Sequence, residues 1–146
     1  KELARAIMSA KRKKQPIETT SQLREIVEQV VLRTKPENPK EAVKKTCQRV
    51  FQALRIDVNS EFEVLDSFLE ALPHILKPGG KAAILTFHSG EDRMVKKSFQ
   101  YYAREGIYSD IAKDVIRPSA KECASNPRAR STKFRWAVRS DVQKYE

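Results

Sequence analysis

Glycine is scarce in this chain: four residues in 146, at positions 79, 80, 90 and 106. None belongs to a Gly-x-Gly loop, so the chain encodes no glycine-rich nucleotide cradle. Cysteine is scarcer still. Cys47 and Cys123 lie far apart and lack metal-ligand spacing, which argues against a zinc ribbon. Both fall in helical patterns and read as reduced packing residues of a reducing compartment, with a disulfide as the weaker alternative. No run is long and apolar enough to span a membrane, and no signal peptide is visible. Internal repeats and low-complexity tracts are absent as well.

Basic residues are abundant. Twenty-nine Lys and Arg face 19 Asp and Glu, a formal net charge of +10. That excess favours a polyanionic partner, most simply nucleic acid. The plain alternative is a solvated basic surface, and charge alone does not separate the two. The chain is 40% hydrophobic, enough for the core of one domain or one and a half.

The first third reads as helices. Residues 1–14 carry Leu3, Ala6, Ile7 and Ala10 on one face and end in Lys11-Arg12-Lys13-Lys14. These cations either offset the helix dipole or meet phosphate. Gln15-Pro16 breaks that helix. Thr19-x-x-Gln22 predicts a capping box before Leu23, Ile26, Val27, Val30 and Val31. Asn38-Pro39-Lys40-Glu41 predicts a third helix, with Asn as N-cap and Pro at the first position. It turns Val43, Cys47, Val50, Phe51 and Leu54 inward and shows Lys40, Lys44, Lys45 and Arg49 outward. Arg55 and Asn59 close it. Ser60-x-x-Glu63 predicts another capping box, for an acidic helix striped with Phe62, Leu65, Phe68, Leu69 and Leu72, which Pro73 should kink or close.

The chain is organised around residues 72–95. Lys77-Pro78-Gly79-Gly80 predicts a tight turn. Ala82–Phe87 is an unbroken apolar run, which predicts a strand buried on both faces, as in a parallel sheet. It opens into His88-Ser89-Gly90-Glu91-Asp92-Arg93, where a helix over 91–104 begins. Ligands of open α/β sheets sit at such strand ends. Ser89 is expected to cap the helix with Asp92 as its capping-box acid, and Glu91 to favour the first turn. Then come a loop over 105–110, a strand over 111–117, and a short helix capped by Ser119. Asn126-Pro127 turns the chain into Arg128-Ala129-Arg130-Ser131. In a last strand, Lys133–Arg139, Phe134, Trp136 and Val138 are expected to pack and the charged alternates to be solvated. A frayed tail over 141–146 is expected.

Phe51-Gln52-Ala53-Leu54-Arg55-Ile56, Val58-Asn59, Pro78-Gly79-Gly80, Phe87-His88-Ser89, Glu91-Asp92-Arg93 and Asn126-Pro127-Arg128-Ala129-Arg130-Ser131 occur in this order. That series resembles the MraW/RsmH family, which methylates the N4 amine of a cytidine in small-subunit ribosomal RNA with S-adenosyl-L-methionine (SAM). The resemblance covers nearly the whole chain. It implies an α/β fold: a helical, substrate-side insertion over 1–58, then over 59–146 the last strands (fifth, sixth and seventh) and helices of a class I SAM-methyltransferase sheet. One departure is Gly90, where the family usually has Leu; it is expected to loosen the helix start.

The family's cofactor site is built by its first strands, with a Gly-rich turn and an acidic residue that this chain lacks. The resemblance therefore places SAM in a missing N-terminal half and implies that the chain alone is inactive. His88 and Glu91 are the candidate substrate contacts. Arg128, Arg130 and Ser131 are expected to meet RNA, as are Arg55 and Asn59 at the active-site wall. Lys11, Arg12, Lys13, Lys14, Lys44 and Lys45 would add outer, salt-sensitive contacts. The implied partner is small-subunit ribosomal RNA or the ribosomal subunit, with no membrane, in a bacterial cytoplasm or alternatively a plastid or mitochondrion. The edge of strand 81–87 would be unpaired and invite self-association or a partner chain. Two other readings stand beside this one: a non-catalytic basic RNA-binding or assembly module, and a basic α/β interaction domain with no nucleic-acid role.

Overall fold

A computed structural model of the chain describes residues 1–13 and 15–141; Lys14 and the expected frayed tail beyond Asp141 lie outside the described residues. The contacts divide the chain into two units, Lys1–Asn59 and Ser60–Glu146.

The first unit is helical: α1 (Glu2–Arg12), α2 (Thr20–Leu32) and α3 (Pro39–Val58). Leu3, Ala6, Ile7 and Ala10 are the half-buried side of α1. Thr19 and Gln22 form the capping box of α2, the Thr19 hydroxyl accepting the Gln22 N–H at 3.2 Å. Leu23 and Val27 are its buried residues. Asn38 caps α3 through its side-chain oxygen on the Glu41 N–H at 3.2 Å, with Pro39 next. Such a cap is worth about 1 kcal/mol.

The second unit holds α4 (Glu61–Ile75), β1 (Lys81–Thr86), α5 (Ser89–Arg104), β2 (Tyr108–Ile111), α6 (Ala120–Ser125), a 3₁₀ turn (Pro127–Ser131) and β3 (Lys133–Arg139). Leu69, Leu72, Ala82, Val95, Phe99, Tyr108 and Ala137 form its core. Pro73 does not close α4 at once; the helix runs two residues further, with the i−4 hydrogen bond that a Pro73 N–H would have made left out. Ser60 makes no capping box. It sits in the left-handed region (φ 49°) and its side chain reaches no helix N–H. In the Lys77–Gly80 turn the Gly80 N–H meets the Lys77 carbonyl at 2.8 Å and Gly79 has φ 72°. This is a type II arrangement, with glycine at the position that requires positive φ. A Cβ on Gly80 would lie 2.7 Å from the Lys77 carbonyl oxygen.

The three-stranded sheet is antiparallel in each pairing. Its order is β1-β3-β2, with β3 antiparallel to both neighbours. Three expectations are corrected here. The apolar run of β1 is not buried on both faces: Ala82 and Thr86 are buried, while Leu85 is 56% exposed, because α5 covers one side only. The strand after α5 lies at 108–111 rather than 111–117, with Ile116 making an isolated bridge to Phe134. On β3 the packing phase is inverted. Arg135, Ala137 and Arg139 are buried, and Phe134, Trp136 and Val138 are only partly buried. Register explains this: Ala137 stands opposite Ala82 and Arg135 opposite Ile84, so these alternates share the α5 face. Among the described residues β1 is an edge strand, paired on one side only.

Candidate functional site

Strand β1 delivers the chain to His88 at the start of α5. His88 is extended (φ −140°, ψ 163°) and is itself the N-cap: its Nδ1 accepts the Glu91 N–H at 3.4 Å. Glu91 reaches back, its Oε2 accepting the Phe87 N–H at 3.1 Å. Together they tie down the helix start, although not as a capping box: the Glu91 carboxylate meets the N–H of the residue before the N-cap rather than that of His88 itself. The caps expected from sequence were Ser89 and Asp92. Ser89 is instead the first helical residue, and Asp92 is held elsewhere by Arg135.

Phe62 of α4 meets the His88 ring edge-on, with centroids 5.7 Å apart at 69°. Gly90 makes this possible. A Cβ there would lie 2.9 Å from Phe62 Cζ and 3.1 Å from His88 Nδ1. The glycine expected to loosen the helix start is thus the gap that admits the Phe62 ring.

Donor atoms of Glu61, His88 and Glu91 lie within 4.8 Å of one another. The trio has metal-ligating chemistry, but the hydrogen bonding opposes it. A neutral imidazole that accepts at Nδ1 carries its proton on Nε2 and offers no lone pair there. Nε2 lies 3.3 Å from Glu91 Oε1, is shielded from solvent, and has no aligned hydrogen-bond partner among the described residues. The carboxylates sit in the first turns of α4 and α5, where negative charge offsets the helix dipoles. Among the described residues of this second unit none makes a glycine-rich cradle for a nucleoside cofactor; its glycines shape the Lys77–Gly80 turn, the His88 contact and the exit of α5.

Two arginines that the sequence reading assigned to a solvated face hold the unit together. Arg135, 7% exposed, binds Asp92 through two nitrogens, Nε–Oδ1 at 2.8 Å and Nη2–Oδ2 at 3.2 Å. Arg139, 8% exposed, donates from Nε to the Pro73 carbonyl at 3.0 Å and from Nη1 to the Ile107 carbonyl at 3.0 Å and Ser140 Oγ at 3.2 Å. The Pro73 carbonyl lies in the last turn of α4, where no helical N–H follows to bond it. Arg139 supplies that donor. Tyr108 lies in the same core with a buried hydroxyl lacking a partner among the described residues. Burial, then the neighbouring Tyr102, push its pKa up to about 12 against the opposing pull of Arg139.

Because β3 is antiparallel to β1 and Lys133 stands opposite Thr86, the 3₁₀ turn before β3 lies at the same sheet end as His88. Asn126 caps that turn on the Arg128 N–H at 3.2 Å; Ala129 is buried, while Arg128, Arg130 and Ser131 are exposed. Arg55 and Asn59 belong to the helical unit. Both are exposed, and the Asn59 backbone N–H closes α3 on the Arg55 carbonyl at 3.0 Å. Lys11, Arg12, Lys13 and Lys44 are exposed. Lys45 is not an unpaired cation. Its ammonium lies 2.7 Å from Glu41, and this hydrogen bond and charge hold the Glu41 carboxyl below its ordinary pKa. Between α1 and α2 runs an open groove lined by Arg5, Lys13 and Arg33 together with Glu2, Glu18 and Glu25, so its charge is mixed.

The profile describing the MraW methylase family matches residues 1–140. The chain is 61% identical over 140 residues to "Ribosomal RNA small subunit methyltransferase H 1" of Lachnoclostridium phytofermentans, which covers 95% of this chain and 38% of that protein. It is 62% identical over 140 residues to the protein of the same name from Agathobacter rectalis, covering 96% of this chain and 40% of the relative. A relative from Mesomycoplasma hyopneumoniae, "Ribosomal RNA small subunit methyltransferase H", is 39% identical over 148 residues. The chain thus spans about two fifths of the length of these first two relatives.

Proposed function

The chain belongs to the MraW methylase family, and from that premise we propose that it is the substrate-side, C-terminal part of a SAM-dependent small-subunit rRNA methyltransferase acting on the N4 amine of a cytidine. The observation that carries this reading is the family match along residues 1–140 within relatives more than twice as long. The order β1-β3-β2, with β1 at the edge, supports it: preceding strands would add to that edge, making these the last three strands of the sheet. Residues 1–58 are the substrate-side helices, and residues from 59 on complete the methyltransferase domain.

When bound, SAM supplies an activated methyl group. The residues present do not form its cradle, so it belongs to residues outside this chain, and the chain alone is inactive. What this chain contributes is the far wall. The N4 amine of cytosine is a weak nucleophile, its lone pair delocalised into the ring, so alignment carries most of the catalysis, up to about 7–11 kcal/mol in the best intramolecular cases. Among the described residues His88 Nε2, like Thr86 Oγ1 at the same strand end, has bonding capacity unspent. It and Glu91 are the substrate contacts we assign, each held by its hydrogen bond at the start of α5. Arg128, Arg130 and Ser131 at the same sheet end hold phosphate or close the site. On the helical unit Arg55 and Asn59 are RNA contacts in this reading, and Lys11, Arg12, Lys13, Lys14, Lys44 and Lys45 are outer contacts, with Lys45 weakened by Glu41. The free edge of β1 takes up the remaining strands or a second chain. The compartment is a bacterial cytoplasm.

The test is a pair of titrations on this chain: SAM by calorimetry, and a small-subunit RNA fragment by fluorescence anisotropy across a salt series. We expect no heat with SAM at millimolar concentration and RNA affinity that falls steeply with salt. Saturable SAM binding would overturn the placement of the cofactor. RNA affinity that is weak and insensitive to salt would favour a basic interaction domain with no nucleic-acid role.

A further inference from the structure

Resting on the RNA reading above, we infer a second contact surface: the outer face of α5 binds single-stranded RNA, with Arg93, Lys97 and Arg104 on phosphates and Tyr101 stacked on an unpaired base. The four residues follow one another at helical spacings of four, four and three, so they form a single stripe. All four are exposed, opposite the side that buries Val95 and Phe99. From Arg93 to Arg104 the stripe is about 16 Å long, at 1.5 Å per residue.

Three features set this stripe apart from an ordinary solvated helix face. First, no acidic residue stands three or four positions from Arg93, Lys97 or Arg104 on the helix, and none of the three is ion-paired among the described residues. The acids of α5, Glu91 and Asp92, are occupied by its own N-terminus and by Arg135. Arg93 and Lys97 are like charges at i,i+4, an unfavourable pair. A polyanion laid along the stripe relieves that repulsion. Second, Tyr101 is 57% exposed between cations on either side along the helix. An aromatic plane flanked by cations is the usual platform for an unpaired base. Third, the ring is propped. Tyr101 meets Tyr102 edge-on at 5.1 Å, Tyr102 meets Tyr108 at 5.7 Å, and Tyr108 meets the buried Phe99 at 5.6 Å. This aromatic chain runs from core to surface and holds Tyr101 before any ligand arrives.

The experiment is fluorescence anisotropy with the 146-residue chain and two probes, a short fluorescein-labelled single-stranded RNA and its duplex. Tyr101→Ala is expected to weaken single-strand binding roughly five- to hundred-fold and leave duplex binding unchanged, and Tyr101→Phe to restore it. Replacing Arg93, Lys97 and Arg104 together by Gln is expected to reduce the slope of log affinity against log salt by about 2, at roughly 0.7 per phosphate. Because all four side chains are exposed, each variant should keep the parent fold, with Tyr101→Ala losing only its edge contact to Tyr102, and the melt is measured alongside. Unchanged single-strand affinity in Tyr101→Ala overturns the stacking site. If Arg128→Gln with Arg130→Gln abolishes binding while the α5 variants bind as the parent does, the stripe is wrong and the RNA reading stands. A parent chain that binds neither probe overturns both.

Discussion

Asp92 and Arg135 illustrate what single residues do in this molecule. Each is largely buried and each is the other's charged partner, so removing one leaves an uncompensated charge in the core. Asp92→Ala is expected to destabilise the second unit by about 3–5 kcal/mol, read by urea unfolding. Replacing both residues by apolar ones of similar size should recover much of that loss. Tyr108 gives a pH prediction. Its folded pKa lies near 12, against about 10 for an unperturbed tyrosine. The folded state therefore holds this proton more tightly. The resulting stability is fully present below pH 10 and is lost as pH rises through 12, at about 1.4 kcal/mol per pH unit. Tyr108→Phe should flatten the alkaline limb of a stability–pH curve, and an identical limb would contradict this origin.

Elements show where local rules suffice. The α3 start, Asn38-Pro39-x-Glu41, needs only its own residues, and the structure contains the cap they specify. Asn38→Ala is expected to cost about 1 kcal/mol in thermal unfolding, with Asn38→Ser restoring it. The α5 start has two adjacent solutions. Ser89 or His88 could cap, and the choice went to His88 because Arg135, far along the chain, draws Asp92 away and Phe62 seats the imidazole beside Gly90. Gly90→Ala is expected to displace either ring. It should shift the His88 imidazole resonances in an NMR spectrum and lower stability; unchanged resonances would mean the close approach does not matter.

Across the whole molecule, the +10 charge and the one-sided pairing of β1 govern association. Leu85 and Phe87, both 56% exposed, flank an unpaired strand edge, an arrangement prone to pairing with further chain. We expect the chain to self-associate in equilibrium sedimentation, and Leu85→Lys to reduce that association. A clean monomer at high concentration would remove the prediction.

Sequence by itself determined the helices and their caps at Thr19 and Asn38, the Pro78-Gly79 turn, the existence of β1 and β3, and the ordered motifs that placed the chain in its family. These depend on neighbours within a few residues, or on residue identity alone, so no fold is needed to read them. Tertiary structure decided which face of β3 is buried, which residue caps α5, and that Arg135 and Arg139 belong inside. An apolar alternation marks two faces without saying which one meets α5, and an arginine reads as solvated until a distant carboxylate or an unpaired carbonyl stands opposite it. Partners 43 and 66 residues away in sequence supply those groups, and only the packed chain brings them together.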